Sequence, residues 1–144
     1  MRKNKNLILA FLLSILSLTV NAQEKNDAYD WTKVIDAIVK VESRGNPKAF
    51  NPNGNCAGIL QITPGLVKQC NTWLKAKKSK KRYTLADRYN VQKSKEMFVM
   101  VQKYYNKTND VEKAIRIWNG GPGYTIKGTN GYLKKVMKYY NGGN

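Results

Sequence analysis

Apolar side chains recur at helical spacing in five segments of this chain. The first segment places Trp31, Val34, Ile35 and Ile38 on one face, at positions i, i+3, i+4 and i+7 of a helix that Asp30 is expected to cap. Four further helices are predicted to open at residues with favourable capping or first-turn chemistry, namely Thr63-Pro64, Asn90, Asp110 and Asn130. The pattern therefore predicts a mainly α-helical protein.

The stretch between the first two helices breaks this pattern. Residues 46–55 are rich in Asn, Pro and Gly, which predicts an irregular loop. Residues 58–62 form a short apolar run, which predicts a small strand or the arm of a hairpin. With no repeat and no internal linker in the sequence, we expect a single domain with a small β-hairpin or irregular β segment near residues 50–63.

Glu42 interrupts the first apolar stripe. One turn beyond Ile38 the stripe reaches Glu42, and the sequence Ser43-Arg44-Gly45-Asn46-Pro47 then ends the helix. Burial beside the stripe and the negative end of the helix dipole would both disfavour the charged carboxylate and raise its pKa, as a general acid near neutral pH requires. The alternative, from this segment alone, is a helix-terminal glutamate that reaches solvent and pairs with Arg44.

Residues 1–22 have the composition of a secretory signal peptide. Arg2, Lys3 and Lys5 precede an uncharged run from Leu7 to Val20, and small residues follow at a suitable cleavage point. The run is short for a membrane span, so an uncleaved anchor is the less favoured alternative. We expect residues 23–144 to form the mature domain, in the periplasm or outside the cell.

The charge of the chain is strongly positive. The whole sequence carries +17, and residues 23–144 hold 23 basic and 9 acidic groups, a net charge of +14. Such a domain favours polyanionic partners. The signal peptide argues against nucleic acid, so the cell wall, acidic glycans or an anionic membrane are the better partners. The densest run of cations lies between Lys75 and Arg82.

Two cysteines and the lack of histidine limit the chemistry. A bridge between Cys56 and Cys70 would close a 15-residue loop and contribute about 3 kcal/mol on the chain-entropy model. We expect this bridge, with two buried thiols as the alternative. Without histidine, two sulfurs alone cannot complete a tetrahedral zinc site, and His-dependent catalytic triads are excluded. We therefore expect no metal.

Five segments of the sequence occur in the order of a known family. They are Val41–Phe50, Gly58–Pro64, Asp87 with Asn90-Val91, Ala114–Gly123, and Tyr132–Val136. They resemble, in turn, the Glu-Ser, Gly-Leu-Met-Gln, Asp-x-x-Asn-Ile, Ala-x-x-x-Tyr-Asn-x-Gly-Pro-Gly and Tyr-Val motifs of soluble-type lytic transglycosylases. Together they span roughly the whole mature domain. The resemblance implies a lysozyme-like fold of the goose type.

The resemblance also implies an activity. Members of the family cleave the β-1,4 bond between N-acetylmuramic acid and N-acetylglucosamine in peptidoglycan, and one glutamate serves first as acid and then as base. On this chain that residue would be Glu42, and the product would carry a 1,6-anhydro end. The implied substrate contacts come from Ser43, Gly58, Gln61, Trp118, Asn119 and Tyr132. Tyr132 would also orient the acid.

Alternatives and partners follow from the same residues. No Asp or Glu lies between Ser43 and Ala86, and Asp87 and Asp110 have the positions of helix starters, so a second catalytic carboxylate is not evident. A hydrolytic muramidase and a non-catalytic cationic wall-binding protein are the alternative functions. We expect peptidoglycan strands as partners, no nucleic acid and no cofactor, and a monomer. Stand-alone members of the family often open the wall for secretion or conjugation machinery or assist wall turnover.

The sequence departs from the family pattern at three motif positions. Trp118 replaces a tyrosine, which suits sugar stacking but removes a hydroxyl. Leu60 replaces a methionine, and Ser94 replaces a glycine. These changes affect the details of substrate binding and leave Glu42 in place.

Overall fold

A computed structural model describes residues 28–143. The predicted signal peptide, residues 1–22, lies outside these residues and stays a prediction. The helices within them are α1 (Thr32–Glu42), α2 (Pro64–Ala76), α3 (Val91–Tyr105), α4 (Val111–Gly120) and α5 (Ile126–Tyr140). A short 3-10 helix, Leu85–Tyr89, precedes α3, and two strands, β1 (Phe50–Asn51) and β2 (Cys56–Ala57), form the sheet. The mainly helical fold class is confirmed.

Side-chain caps start most of the helices where the sequence predicts them. The side chains of Thr63, Asn90 and Asp110 accept hydrogen bonds from backbone N–H groups in the first turns of α2, α3 and α4. Helix α1 differs by one residue, since Trp31 occupies the cap position and Asp30 Oδ1 accepts from Thr32 N at 2.9 Å. These bonds satisfy donors that a helix start would otherwise leave unpaired.

The start of α5 differs more. The sequence predicts a start at Asn130, but the helix begins at Ile126, where the Thr125 side chain accepts from Gly128 N. Asn130 instead lies within the helix, and its Oδ1 accepts from the buried guanidinium of Arg116 at 3.0 Å. Gly128 and Gly131 weaken the helical signal of this turn, which explains the wrong boundary.

The β segment lies where it was predicted, but with different strands. Phe50 pairs with Ala57 and Asn51 with Cys56 in an antiparallel hairpin. Residues 58–61, predicted as a strand, instead form turns that reverse the chain, so that Ala57 and Ile62 exchange backbone hydrogen bonds of 3.1 and 2.9 Å. Positive φ angles at Gly58 (78°) and Gln61 (52°) produce this reversal.

The core joins α1 to the C-terminal helices. Trp31, Val34, Ile35 and Ile38 are all buried, as their spacing predicts, and α5 packs against both α1 and α4. Phe98 of α3 lies between the rings of Trp31 and Trp118, with centroids 5.9 and 5.0 Å away. Burying each large apolar side chain stabilises the fold by about 1.5–3 kcal/mol. No helix within residues 28–143 is long and apolar enough to cross a membrane.

Arg88 fixes the turn after the hairpin. Its side chain is 5% exposed and donates to the carbonyl oxygens of Asn55 (2.6 Å), Ile62 (3.2 Å) and Leu85 (2.9 Å). Gly58 packs so closely on the Arg88 backbone that a β-carbon there would lie 1.8 Å from the Arg88 carbonyl oxygen. The loop that carries Gln61 is therefore held against the 3-10 helix by both a side chain and a backbone contact.

Gly58→Ala should consequently destabilise the fold by about 2–5 kcal/mol, because the new methyl group must displace backbone and also sits at a positive φ. Gly131→Ala is the matched control. A β-carbon there meets nothing within 4 Å, and alanine in a helix interior should raise stability by about 0.5–1 kcal/mol. Chemical denaturation measures both. A Gly58→Ala protein as stable as wild type would contradict this packing.

Candidate active site

Glu42 is the last residue of α1 and lies at the edge of the core. The next residue, Ser43, closes the helix by donating its backbone N–H to the Val39 carbonyl at 3.0 Å. Glu42 is only partly exposed, and its side chain lines a cavity of about 540 Å³. This volume is typical of a ligand-binding cleft.

Two opposing effects act on the Glu42 carboxyl. Burial raises its pKa above the ordinary value of 4.5, because the charged form loses solvation. The Tyr132 hydroxyl donates to Glu42 Oε1 at 2.5 Å, and this bond lowers the pKa because it favours the charged form. Burial is the larger effect, so the pKa remains raised. The geometry provides a carboxyl that can hold a proton above its usual pH range.

Tyr132 is available only as a donor in this pair. Burial is the main reason that the pKa of its hydroxyl is raised, and the nearby charge of Glu42 adds to it. The phenol therefore stays protonated and keeps its O–H directed at Oε1. Helix α5 carries Tyr132 and packs directly against α1, so the contact between these two helices sets the distance.

The cleft is built by the ends of several elements. Its walls come from the C-terminus of α1, the hairpin, residues along α2 from Gly65 to Trp73, and the last turns of α3 and α4. The predicted residues Gln61, Trp118 and Asn119 line it together with Glu42. The hairpin contributes Asn51 and Cys56. Among these lining residues, all within the described part of the chain, Glu42 is the only carboxylate.

Three of the lining residues present groups suited to a sugar. The side-chain Nε2 of Gln61 donates to the Gly58 carbonyl at 3.0 Å and, at 3.4 Å, to the Ala49 carbonyl. The Gln61 Oε1 atom has no hydrogen-bond partner within residues 28–143. Asn119 is exposed, and its amide has no such partner in the same residues. Trp118 is half-buried and packs on Phe98. Together they offer two amides and an indole to the cleft.

Three residues predicted to contact substrate do not line the cleft. They are Tyr132, whose hydroxyl binds the lining residue Glu42, and Ser43 and Gly58, which have contacts elsewhere. Ser43 does not line the cleft, and its hydroxyl donates to the Ile59 carbonyl at 2.9 Å and accepts from Gly45 N at 3.2 Å. Gly58 is buried, and the backbone that approaches it closely is that of Arg88. Both residues therefore shape the wall of the cleft without lining it. Ser43 ties the end of α1 to the loop before Gln61.

Other acidic groups are engaged elsewhere. Asp87 Oδ1 forms an ion pair with Lys93 at 2.7 Å, and Asp87 Oδ2 accepts from Thr84 N. Asp110 Oδ1 accepts from Lys113 N at 2.6 Å as the cap of α4. Neither residue lines the cleft. Within residues 28–143 no group of three His, Cys, Asp or Glu side chains could hold a metal ion.

The predicted disulfide is absent, and both cysteines are free thiols. Cys70 points from α2 into the core, where it is fully buried and where burial raises its pKa to about 12. Cys56 is half-buried at the cleft, with its Sγ 3.5 Å from the Gly54 carbonyl oxygen. The two side chains therefore occupy different environments, one in the core and one beside the hairpin turn. The expected bridge is corrected to two separate thiols.

The cleft also contains aromatic residues that the sequence did not identify as part of a site. Trp73 of α2 and Tyr105 of α3 both line it, although only Tyr105 is exposed. Tyr105 shares the apolar face of α3 in the sequence, and its place in the last turn before a polar loop is the one local signal of a surface position. Nothing in the local sequence identifies Trp73 as a cleft residue, because its position there depends on which side of α2 faces the hairpin.

Comparison with known families agrees with this geometry. The family model described as the transglycosylase SLT domain matches residues 19–140, which is most of the chain. The chain therefore belongs to the SLT transglycosylase family and has its lysozyme-like fold. Membership identifies a glycan-cleaving enzyme that acts on peptidoglycan, and the cell wall as the place of action is consistent with a periplasmic or extracellular location. No curated protein and no solved structure matches the chain.

The raised pKa of Glu42 has a consequence for stability. Because the folded-state pKa lies above the unfolded value of 4.5, losing the proton costs more in the folded protein than in the unfolded chain. Stability is therefore intact below about pH 4 and falls as the pH rises towards the folded-state pKa. Glu42→Gln removes this cost and keeps an oxygen that can accept from Tyr132.

We expect the Tm of Glu42→Gln to exceed that of wild type near neutral pH and to match it below about pH 4. Thermal unfolding across this range gives the comparison. Asp36→Asn removes the same charge from an exposed position of α1, and its Tm should not show this pH-dependent gain over wild type. If Glu42→Gln is less stable than wild type at neutral pH, the folded protein does not destabilise the ionised form of Glu42, and the raised pKa is contradicted.

Proposed function

We propose that the protein is a peptidoglycan lytic transglycosylase with Glu42 as its single catalytic carboxylate. The bond cleaved is the β-1,4 link from N-acetylmuramic acid to N-acetylglucosamine, and the product carries a 1,6-anhydro-N-acetylmuramic acid end. The observation that carries this proposal is the isolation of Glu42. Among the described residues it is the one acid lining the cleft, burial raises its pKa, and Tyr132 donates to one of its oxygens.

In this mechanism the two carboxyl oxygens of Glu42 have different tasks, and the hydrogen bond from Tyr132 to Oε1 supports the division. In a neutral carboxyl, the oxygen that accepts the phenol proton is the carbonyl oxygen, so the acid proton resides on Oε2. Oε2 gives this proton to the glycosidic oxygen as the bond from C1 of the muramic sugar breaks. N-acetylglucosamine then leaves with a new hydroxyl.

The second half of the reaction uses the same residue as a base. The Tyr132 hydrogen bond now stabilises the Glu42 carboxylate, whose Oε2 takes the proton of the 6-hydroxyl on the muramic sugar. The 6-oxygen bonds to C1 and closes the anhydro ring. The acid is restored, no water is consumed, and the proton lost in the first half is recovered. The acetamido group of the sugar supports C1 between the two halves.

The number of acids in the cleft argues for this chemistry over a two-carboxylate hydrolase. Retaining and inverting glycosidases place their carboxyl groups about 5–5.5 Å or about 6.5–9.5 Å apart across the bond. In this cleft Glu42 has no acidic partner among the described lining residues. Asp87 and Asp110 are held by Lys93 and by the start of α4. The substrate itself must then supply what the second carboxylate would do.

The sugar contacts follow from the free groups of the cleft. Trp118 offers an aromatic surface on which a sugar ring can stack, as Trp does more readily than Tyr. Gln61 Oε1 and the Asn119 amide can bind an acetamido or hydroxyl group. Ser43 and Gly58 act indirectly in this proposal, by holding the turn that positions Gln61.

The cellular setting is part of the proposal. Residues 1–22 act as a signal peptide, residues 23–144 form the catalytic domain, and the enzyme works as a monomer on the wall without nucleic acid or cofactor. The net charge of +14 for that domain favours attachment to an anionic wall. A secretion or conjugation machine that needs a local opening in peptidoglycan is a suitable partner for such an enzyme.

Digestion of purified sacculi tests the proposed activity. Mass analysis of the released fragments should find anhydro ends with wild type, and Glu42→Gln should lose about 100- to 10,000-fold or more in rate, since one group serves both steps. Asp36→Asn on the same helix should keep wild-type activity. Reducing ends would show a hydrolase instead, and a fully active Glu42→Gln protein would remove Glu42 from the mechanism.

A further inference from the structure

A second cavity next to the cleft is lined by cations. It measures about 530 Å³ and lies between the end of α2, the end of α3 and the loop that leads to α4. Its lining consists of Lys77, Lys103, Tyr104, Asn106, Lys107 and Asn109. Three of these six residues are lysines, and none is acidic. We refer to it as the lysine pocket.

The positive charge of the lysine pocket is not neutralised by a neighbouring acid. The ion pairs formed within residues 28–143 use Lys81, Lys93, Lys95 and Arg116, and none uses a pocket lysine. Asp110 is the acid closest in sequence, but its carboxylate caps α4 through Lys113 N. The following acid, Glu112, pairs with Arg116. The three ammonium groups therefore favour an anion from outside the chain.

An aromatic ring and a loop hold the lysines in place. The Nζ atoms of Lys77 and Lys107 lie 5.5 and 6.0 Å from the centre of the Tyr104 ring, within cation–π range. Lys107 Nζ also donates to the Lys103 carbonyl. Asn106 is buried and binds Asp110 through both its side-chain oxygen and its side-chain nitrogen, which fixes the loop. The pocket is thus supported by the fold around it.

The lysine pocket and the catalytic cleft share an aromatic wall. Tyr104 of the pocket stacks on Trp73, with ring centroids 4.0 Å apart and an angle of 12° between the planes. Trp73 and its neighbour Tyr105 line the catalytic cleft. The two cavities therefore lie on either side of one pair of stacked rings. A side branch of a ligand in the cleft would have to pass this pair of rings to meet the lysines.

We propose that the lysine pocket binds the carboxylates of the peptide stem carried by a glycan strand in the cleft. This rests on the proposed function, because it takes peptidoglycan as the ligand of the cleft. Each muramic sugar carries a short peptide with several free carboxylates, which is the side branch that the geometry requires. Lysine ammonium groups bind carboxylates, and the Asn109 amide and Tyr104 ring suit a peptide backbone. Proximity to the cleft favours the stem over a separate phosphate polymer of the wall.

Two variants with equal charge test the proposal. One changes Lys77, Lys103 and Lys107 to Gln, which removes the charge and keeps most of each side chain over Tyr104. The control changes Lys134, Lys135 and Lys138 to Gln; these exposed α5 lysines form no ion pair in the described residues and line neither cavity. Substrates are soluble glycan strands with intact stems and the same strands after an amidase has removed the stems.

The quantity compared is the ratio of kcat/KM for stem-bearing strands to kcat/KM for stripped strands. We expect the pocket variant to lower this ratio about tenfold, mainly through KM, as the loss of three exposed charge contacts implies. The control should leave the ratio at the wild-type value. Equal losses on both substrates, or no loss on either, would overturn the proposal.

A binding experiment separates this proposal from the proposed function. Free stem tetrapeptide titrated into Glu42→Gln protein should shift the NMR signals of Trp73 and Tyr104, and the pocket variant should lose those shifts. If wild type cuts neither substrate, the proposed function fails, while these shifts still decide whether the pocket binds stems. A poly(glycerol phosphate) chain that binds in place of the tetrapeptide would assign the pocket to wall polymers and refute the stem proposal.

Discussion

The burial of Glu42 at the end of α1 is the constraint on which the site depends. The apolar stripe that anchors α1 in the core also removes solvent from the carboxyl one turn further on, so folding raises its pKa. Tyr132 partly offsets that cost with a hydrogen bond to Oε1. The packing of α5 on α1 therefore serves the core and the active site at once. The contact between these helices therefore moderates the pKa of Glu42 and determines which of its oxygens accepts the hydrogen bond from Tyr132.

The wall of the cleft that carries Gln61 is held by polar contacts within a segment that has little regular structure. Arg88 joins three carbonyl oxygens around the hairpin, and Ser43 links the end of α1 to the carbonyl of Ile59. Gly58 allows the turn to pack on the 3-10 helix. Such contacts fix a loop that apolar burial alone would leave loosely placed, because backbone groups in a buried turn need partners. Gln61 is presented to the cleft by this arrangement.

Local chemistry in the sequence was sufficient for the starts of α2, α3 and α4 and for the position of Glu42 at the end of α1. Caps at Thr63, Asn90 and Asp110 act within one turn, so their positions could be predicted from neighbouring residues alone. The strands could not, since pairing Phe50 with Ala57 depends on a positive φ at Gly58 and on contacts with Arg88, which is distant in sequence. The spacing of residues along the chain therefore predicts structure that forms between near neighbours, such as helix caps, and does not predict contacts between residues distant in sequence.

The same limit applies to the site. Cys56 and Cys70 are separated by a distance along the chain that suits a disulfide, but one faces the hairpin and the other the core. Trp73 and Tyr105 reach the cleft only because α2 and α3 meet there. Tyr132, 90 residues from Glu42, was identified through its motif, and its bond to Oε1 is a property of the folded chain.

The pKa of Glu42 in the folded protein tests this account most directly. Carbon-13 NMR of protein labelled at the glutamate carboxyl carbons can follow each group through a pH titration, and the signal absent from Glu42→Gln identifies Glu42. We expect Glu42 to titrate above 4.5 and above Glu96, whose pKa is lowered mainly by its hydrogen bond with Lys81. We also expect Tyr132→Phe to move the Glu42 titration higher still, because the bond favouring the charged form is lost. A Glu42 carboxyl that titrates at or below 4.5 would contradict the claim that the fold itself prepares this residue to act as an acid.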